Sequence, residues 1–291
     1  MSNCPKNATR TIARGFKTCM RLSLAGLLFP VFVLSLHAAD SERPNVILFL
    51  VDDLGWMDTG VYGSEFYETP NIDRLAAEGV RFTNAYSAHP LCSPTRASIL
   101  TGKYPARIDV VGPRAHHPPH ETDEIYPEKA GANRPVILPR SLRHLPDGEY
   151  TLAEALADNG YETAHFGKWH LGVLEEHWPH NYGFETTWHG VPDAGPPAPN
   201  GYFAPYSFAD GNIEPAEDGT YLTDQLTSEV VRFLEYGRDQ KRPFYLQVWH
   251  YGVHGPFDAK PEDIAGFLGK EDSRGKQANP IMAAMIKSID E

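Results

Sequence analysis

The segment at residues 45–51, Asn-Val-Ile-Leu-Phe-Leu-Val, constrains the fold most, because its run of consecutive apolar residues leaves no polar face. Such a run is typical of a strand that is buried on both faces of a parallel sheet. Further strands are predicted at residues 80–86, 162–166 and 244–249, and helices at residues 71–78, 94–100, 151–159 and 221–236. Because strands and helices alternate, we expect an α/β fold with a mostly parallel central sheet and helices on both faces.

The helix at residues 94–100 has Pro94 in its first turn, and Ser93 is predicted to cap it. The helix at residues 151–159 is also predicted to be capped, by Thr151. A last helix carries an apolar face at residues 281–289, and the sequence predicts no element that covers this face.

Two stretches, residues 111–150 and 191–220, are rich in Pro, Gly and His. Loops of this length within a compact domain are usually functional or disordered, and we expect these two to form a specificity rim. His116, His117 and His120 are interpreted as ordinary loop residues.

The N-terminal 39 residues have the layout of a secretory signal peptide, in which basic residues precede the apolar run at 22–36 and small residues follow. The apolar run is roughly 15 residues long, whereas a helix that spans a bilayer needs about 20. We therefore expect a cleaved signal at residues 1–39, no stable membrane anchor, and an exported protein that is periplasmic or secreted.

Charge and cysteine content limit the possible partners. The chain has 26 Lys and Arg residues, 38 Asp and Glu residues and a net charge of −12. This balance argues against nucleic acid as a partner, although a local basic pocket could still hold a small anion. Cys92 is the only cysteine beyond the signal peptide, so it has no partner for an internal disulfide, and a free thiol in an exported protein is prone to oxidation.

Residues that can carry chemistry follow three of the predicted strands. Asp52 and Asp53 follow the first strand, Lys168 and His170 the third, and His254 the fourth. Because ligands bind at the C-terminal ends of strands in open α/β sheets, we expect these groups to converge on one edge. Adjacent carboxylates suit a hard cation such as Ca²⁺ or Mg²⁺, although a solvated turn with one Asp as a helix cap would give the same pattern.

Lys168 and His170 lie two residues apart on an extended segment and should point to the same side. Together with Arg96 they could hold a tetrahedral anion, which needs several convergent donors. The alternatives are a surface charge for each cation and a hydrogen-bonded core position for the histidine.

Several motifs resemble those of one enzyme family. The sequence Cys-Ser-Pro-Thr-Arg at residues 92–96, followed by Leu-Thr-Gly-Lys at 100–103, resembles the signature of the type I sulfatases, which belong to the alkaline-phosphatase-like superfamily. Segments at residues 45–55, 67–73, 166–172 and 243–256 resemble the family's other motifs in the same order. The Lys at position 103 departs from the Arg that the family pattern has there.

The resemblance implies that a separate maturation enzyme oxidises Cys92 to formylglycine. The hydrated aldehyde would attack sulfur, expel the alcohol and then release sulfate as the aldehyde forms again. The implied roles are Cys92 as nucleophile precursor and metal contact, Asp52 and Asp53 as metal ligands, Arg96 as a clamp on the aldehyde hydrate, Lys168 as a sulfate ligand, His170 as a contact to the diol, and His254 as proton donor and substrate contact. The implied metal is Ca²⁺, with Mg²⁺ as the alternative.

The implied activity is hydrolysis of a sulfate ester, with a sulfated carbohydrate as the preferred substrate. Two alternatives remain open, namely a phosphonate or phosphodiester hydrolase on the same scaffold and an inactive truncated fragment. The family places a later Asp-Asn pair in its metal site, and no Asp-Asn-Gly follows the fourth strand here. We therefore expect residues 40–291 to be the N-terminal catalytic domain of a sulfatase, with the C-terminal part of the fold missing.

Overall fold

The computed structural model describes residues 43–119, 128–137, 139–190, 195–197, 201–206, 208 and 216–291. The predicted signal peptide at residues 1–39 lies outside the described residues and stays a prediction. Across the part that is described, none of the helices combines the length and the apolar character that a membrane span requires.

Four parallel strands form one sheet in the order β1-β4-β2-β3. The strands are β1 (Val46–Leu50), β2 (Glu162–Lys168), β3 (Thr186–Gly190) and β4 (Phe244–Trp249). The α-helices are α1 (Pro70–Glu78), α2 (Cys92–Thr101), α3 (Leu152–Asp158), α4 (Leu222–Arg232), α5 (Pro261–Phe267) and α6 (Pro280–Asp290). Strand β3 was not predicted, because its Thr-Thr-Trp-His-Gly sequence is not an apolar run.

The two faces of the sheet are covered by separate apolar clusters, as the alternation of side chains along β4 makes clear. Phe244, Leu246 and Val248 join a cluster with residues of α4 and α6, whereas Tyr245 and Trp249 join a second cluster with residues of α2 and α3. Successive side chains of a strand point to opposite faces, so β4 is buried on both sides. The predicted α/β fold, with a parallel sheet and helices on both faces, is confirmed.

Strand β1 differs from the prediction that it is buried on both faces. Val46, Leu48 and Leu50 pack against the second cluster, but Ile47 is 53 % exposed and Phe49 is 47 % exposed. The reason is topological: β1 lies at the edge of the described sheet, and the described residues cover only one of its faces. Burial on both faces holds for β2 and β4, which lie inside the sheet.

The strand predicted at residues 80–86 is wrong. These residues form no β pairing, and Val80, Phe82 and Tyr86 are exposed. The Phe82 carbonyl accepts a hydrogen bond from a side chain instead, the Tyr62 hydroxyl at 2.7 Å. A segment with strand propensity forms a strand only where a neighbouring strand offers free backbone groups, and none of the described residues does so here.

Two of the predicted helix ends have different outcomes. Helix α2 begins at Cys92 with Leu91 at its N-cap and no capping side chain, so the prediction that Ser93 caps it is wrong. Instead, the Ser93 hydroxyl is buried inside the first turn. Helix α3 is capped as predicted, because the Thr151 hydroxyl accepts from the Glu154 N–H and the Glu154 carboxylate accepts from the Thr151 N–H.

Helix α6 corrects the expectation that its apolar face has no cover. Met285, Ile286 and Ile289 are buried in the first cluster. The Asp290 carboxylate also accepts hydrogen bonds from the backbone N–H groups at the start of α1, including that of Asn71 at 2.9 Å. The helix is therefore held from the sheet side and from α1.

Candidate active site

The C-terminal edge of the sheet collects the side chains that the sequence singled out. Directly after β1, the Asp52 N–H donates to the Gly252 carbonyl at 3.1 Å, and the Val253 N–H donates to the Asp52 carbonyl at 2.7 Å. These bonds join the segments that leave β1 and β4. As a result, Asp52 and His254 lie close together although they are far apart in sequence.

A buried charge cluster surrounds Asp52. The Arg96 guanidinium donates to Asp52 Oδ1 at 3.0 Å, and the Lys168 ammonium forms an ion pair with Asp52 Oδ2. Arg96 also donates to the Lys168 carbonyl at 2.6 Å and lies over the Trp249 ring, 4.9 Å from its centroid. Arg96 is therefore fixed by three different groups.

The two cations determine the charge state of Asp52. Burial alone would raise the pKa of this carboxyl, but Arg96 and Lys168 outweigh burial and lower the pKa to about 2. Asp52 is therefore ionised at every pH at which the protein would work.

Cys92 is the first residue of α2, and its side chain points to the same cluster. Its Sγ lies 3.5 Å from Lys168 Nζ and 3.7 Å from Asp52 Oδ2. Burial raises the pKa of the thiol, and Lys168 only partly offsets that effect. An unmodified Cys92 is therefore a neutral thiol rather than a thiolate nucleophile.

His170 contacts a residue that the sequence did not select. Its Nε2 lies 3.0 Å from Nδ1 of His116, 54 positions earlier in the chain. Burial, followed by Lys168 and Arg96, lowers the pKa of His170 to about 2, so the ring is neutral. His170 also has a φ of 53°, a left-handed conformation that is uncommon outside glycine and is concentrated at functional sites.

His116 lies in a loop, as predicted, but this loop brings its ring into contact with His170, which the sequence did not predict. No local signal distinguishes it, because it lies in a Pro-rich stretch beside two other histidines. His117 packs against it with ring centroids 4.0 Å apart, and His120 lies outside the described residues.

His254 and Asp53 lie on the more open side of the site. His254 Nε2 is 3.9 Å from Asp53 Oδ2, and His254 Nδ1 is 2.6 Å from the Gly255 carbonyl. The carbonyl can only accept, so Nδ1 carries the proton in this contact and Nε2 faces Asp53. Asp53 is 53 % exposed and has a φ of 57°.

The residues present can hold a cation if Asp52 is shared between that cation and the two basic side chains it contacts. Asp52, Cys92 and His254 each offer a ligand atom, and these atoms lie within 4.8 Å of one another. Asp53 lies outside that group but next to His254, and carboxylate oxygens suit a hard divalent ion. Both oxygens of Asp52 contact Arg96 or Lys168 here, so an ion at this position would have to share the carboxylate with them.

Known proteins are similar to this chain in sequence and in fold. Residues 44–291 match the protein family described as Sulfatase. The chain is 39 % identical over 279 residues to N-acetylgalactosamine-6-sulfatase of Rattus norvegicus, covering 88 % of this chain and 47 % of that protein.

Solved structures agree with the sequence match. The crystal structure of Ps i-CgsB in complex with k-i-k-neocarrahexaose is similar with a TM-score of 0.65 and 29 % identity, covering 86 % of this chain and 53 % of that one. BT4656, solved in complex with its substrate D-glucosamine-2-N,6-O-disulfate, has a TM-score of 0.55 and 25 % identity, covering 79 % of this chain and 38 % of that one.

This chain therefore spans about half the length of the curated relatives it matches. The match extends over nearly all residues after position 43 and includes the segments that carry Asp52, Cys92, Lys168 and His254. The fold is the alkaline-phosphatase-like α/β arrangement of these neighbours. The chain belongs to the sulfatase family.

Proposed function

We propose that this chain carries the N-terminal catalytic part of an exported sulfuric ester hydrolase that acts on a sulfated carbohydrate. The observation that carries the proposal is the position of Cys92, which belongs to the family's signature sequence and whose Sγ lies next to both Lys168 Nζ and Asp52 Oδ2. The substrate class is supported by the rat relative, named for a sulfated amino sugar, and by BT4656 with its disulfated glucosamine.

Two groups are added to the chain in this proposal, because the family implies a metal ion and formylglycine. Formylglycine at position 92, formed by a separate maturation enzyme, would supply an oxygen nucleophile as its aldehyde hydrate, and sulfate would then leave by cleavage of the carbon–oxygen bond as the aldehyde re-forms. Asp52 and Asp53 would hold a divalent ion, Ca²⁺ with Mg²⁺ as the alternative, which would neutralise negative charge on the sulfuryl oxygens.

The basic residues of the chain bind the anion and hold the nucleophile in place. Lys168, with its ammonium 3.5 Å from Cys92 Sγ, is positioned to donate to a sulfate oxygen that sits over residue 92. Arg96 is held by Asp52 and by the Lys168 carbonyl, so its charge offsets negative charge at residue 92 without having to reorient.

The two histidines have different proton chemistry because their surroundings differ. His170 is neutral and its ring is oriented by the contact with His116, so we assign it as a contact to the hydrated aldehyde. His254 lies at the open side of the site, with Nε2 directed away from the Gly255 carbonyl, where a leaving alcohol would depart. Because Nδ1 already donates to that carbonyl, Nε2 can donate only when the ring is the imidazolium, and we assign this form of His254 as the proton donor to the alcohol.

Mass spectrometry of the peptide that contains Cys92, after co-expression with a formylglycine-generating enzyme, tests the modification. The expected result is an aldehyde at position 92, and an unmodified thiol in every preparation would overturn the proposed nucleophile. The same preparations can be separated into periplasmic and cytoplasmic fractions, where cleavage after residue 39 is the expected result for an exported protein.

Turnover of an aryl sulfate tests the activity of the modified protein. Lys168→Met is expected to lower kcat/KM by about 100-fold or more, because it removes a donor to the reacting anion. The matched control, Lys241→Met at an exposed position, should retain turnover. Faster turnover of an aryl phosphodiester would favour the alternative hydrolase, and no turnover of either ester by modified protein would favour an inactive fragment.

A further inference from the structure

A second group of potential metal ligands lies away from the Cys92 site. His144, Asp147 and His177 each offer one ligand atom, and these atoms lie within 4.8 Å of one another. None of the three is part of the charge cluster around Asp52. The group joins the loop before α3 to the short 3₁₀ helix at Glu175–His177.

The two histidines form a stacked pair with unsatisfied nitrogens. Their ring centroids are 4.0 Å apart and the ring planes differ by 8°. Nδ1 of each ring is buried and has no hydrogen-bond partner in the described part of the chain. His177 is only 3 % exposed, and a buried polar atom without a partner is costly, so each ring of the pair would be stabilised by a group that binds its nitrogen.

A glycine allows the two histidines to approach each other closely. A Cβ at Gly172 would overlap with Cβ of His177 and lie 3.1 Å from Cβ of His144, so only glycine allows the approach. Asp147 lies in a turn with Gly148, whose φ is 79°, and its carboxylate is exposed. The position is therefore open to an ion from solvent on the Asp147 side and closed on the His177 side.

The ligand types suit metal binding, because each imidazole can offer a nitrogen lone pair and Asp147 a carboxylate oxygen. The acidic groups that act on the rings are Asp147 and Glu176; Glu176 lies 3.8 Å from Nε2 of His177. Two imidazoles and a carboxylate match the ligands that Zn²⁺ takes in proteins.

We propose that His144, Asp147 and His177 form a structural binding site for a divalent transition metal, with Zn²⁺ as the matching ion. Ligand atoms around tetrahedral Zn²⁺ are roughly 3.3 Å apart, so atoms now within 4.8 Å must approach by about 1.5 Å at most, with a tilt of the stacked rings. A fourth position would be taken by water or by Glu176.

The site would brace the segment that carries Lys168 and His170. The Trp169 indole N–H donates to the His177 carbonyl at 2.8 Å, and the Leu145 N–H donates to the Leu171 carbonyl at 2.9 Å. A metal that joins His144 to His177 therefore closes a ring of contacts around residues 168–172. The inference does not depend on the proposed sulfatase activity.

Zn²⁺ binding to the full chain, measured by competition with a chromophoric chelator, tests this site. The wild-type protein should bind Zn²⁺ with a Kd of about 1 μM or tighter, and Zn²⁺ should raise its Tm. His144→Gln and the exposed Asp147→Asn should each weaken this binding by about tenfold or more and remove the rise in Tm. Asp147→Asn lies at the surface, so it remains informative if the histidine variant folds poorly.

Three controls separate this site from other zinc ligands. His180→Gln and Asp218→Asn change exposed residues of the same types and should leave the binding unchanged. Cys92→Ala alters the other candidate cluster and should also retain it. Absence of zinc binding by the wild type, or binding that survives both His144→Gln and Asp147→Asn, would overturn the proposal.

Discussion

Replacing Asp52 by Asn isolates the energy of the buried charge cluster, because the side chain keeps its shape and loses its charge. In the wild type, one carboxylate neutralises Arg96 and Lys168, which are both fully buried. The pKa of Asp52 is about 2 compared with 3.8 for a free carboxyl, a difference that corresponds to about 2.5 kcal/mol in favour of the ionised form. Because the pKa is lowered, this stabilisation is complete at pH 7 and is lost as the pH falls toward 2.

The expected cost of Asp52→Asn is larger than that figure, because two buried cations then lack a counter-charge. Removing one partner of a buried ion pair costs about 3–5 kcal/mol, and we expect a loss in this range at pH 7. Urea unfolding followed by circular dichroism measures it, with a chelator present so that loss of a bound ion does not contribute.

The matched control is Asp224→Asn, which breaks a surface ion pair. Asp224 is 46 % exposed and lies 3.1 Å from Lys260 Nζ. Exposed pairs of this kind contribute about 0–1 kcal/mol. If Asp52→Asn cost no more than Asp224→Asn, the inference that the Asp52 cluster is strongly coupled would be refuted.

Three further predictions concern the scaffold. Gly167→Ala places a Cβ against the Trp249 carbonyl at a φ of 107° and is expected to lower the free energy of unfolding by more than about 3 kcal/mol. Its control, Gly266→Ala, lies in a helix with open space around it and should raise the free energy of unfolding by roughly 0.5–1 kcal/mol in the same urea titration. Thr151→Ala removes the cap of α3 and should cost about 1 kcal/mol; an unchanged unfolding midpoint would argue against the cap. Burial lowers the pKa of His250 to about 4. As the pH falls below 6.5, the unfolded chain therefore binds a proton that the folded chain does not, and the folded state loses about 2 kcal/mol of stability at pH 5. His250→Phe should reduce the difference in stability between pH 7 and pH 5, and an equal difference in both proteins would contradict this assignment.

Part of the candidate site could be predicted from the sequence. Asp52 follows a recognisable apolar strand, Lys168 ends a second, His254 follows a third, and Cys92 lies in a short motif of fixed spacing. Parallel strands bring their C-terminal ends to one edge, so local pattern and one topological rule were enough to group these residues. His116 was missed because its contact with His170 depends on the course of a long loop, for which no periodic signal exists.

Sequence patterns alone determined the α/β class, the interior strands β2 and β4, the capped helix α3 and membership of a recognisable family, because each depends on residues that are neighbours in the chain or on a short motif. Tertiary structure decided which face of β1 is covered, that residues 80–86 do not form a strand, and that α6 is buried. It also decided that His144 stacks on His177 and that Asp52 is shared between two buried cations. The physical reason is that burial and charge coupling depend on which distant segments meet across the sheet, and this information is not contained in any single stretch of sequence.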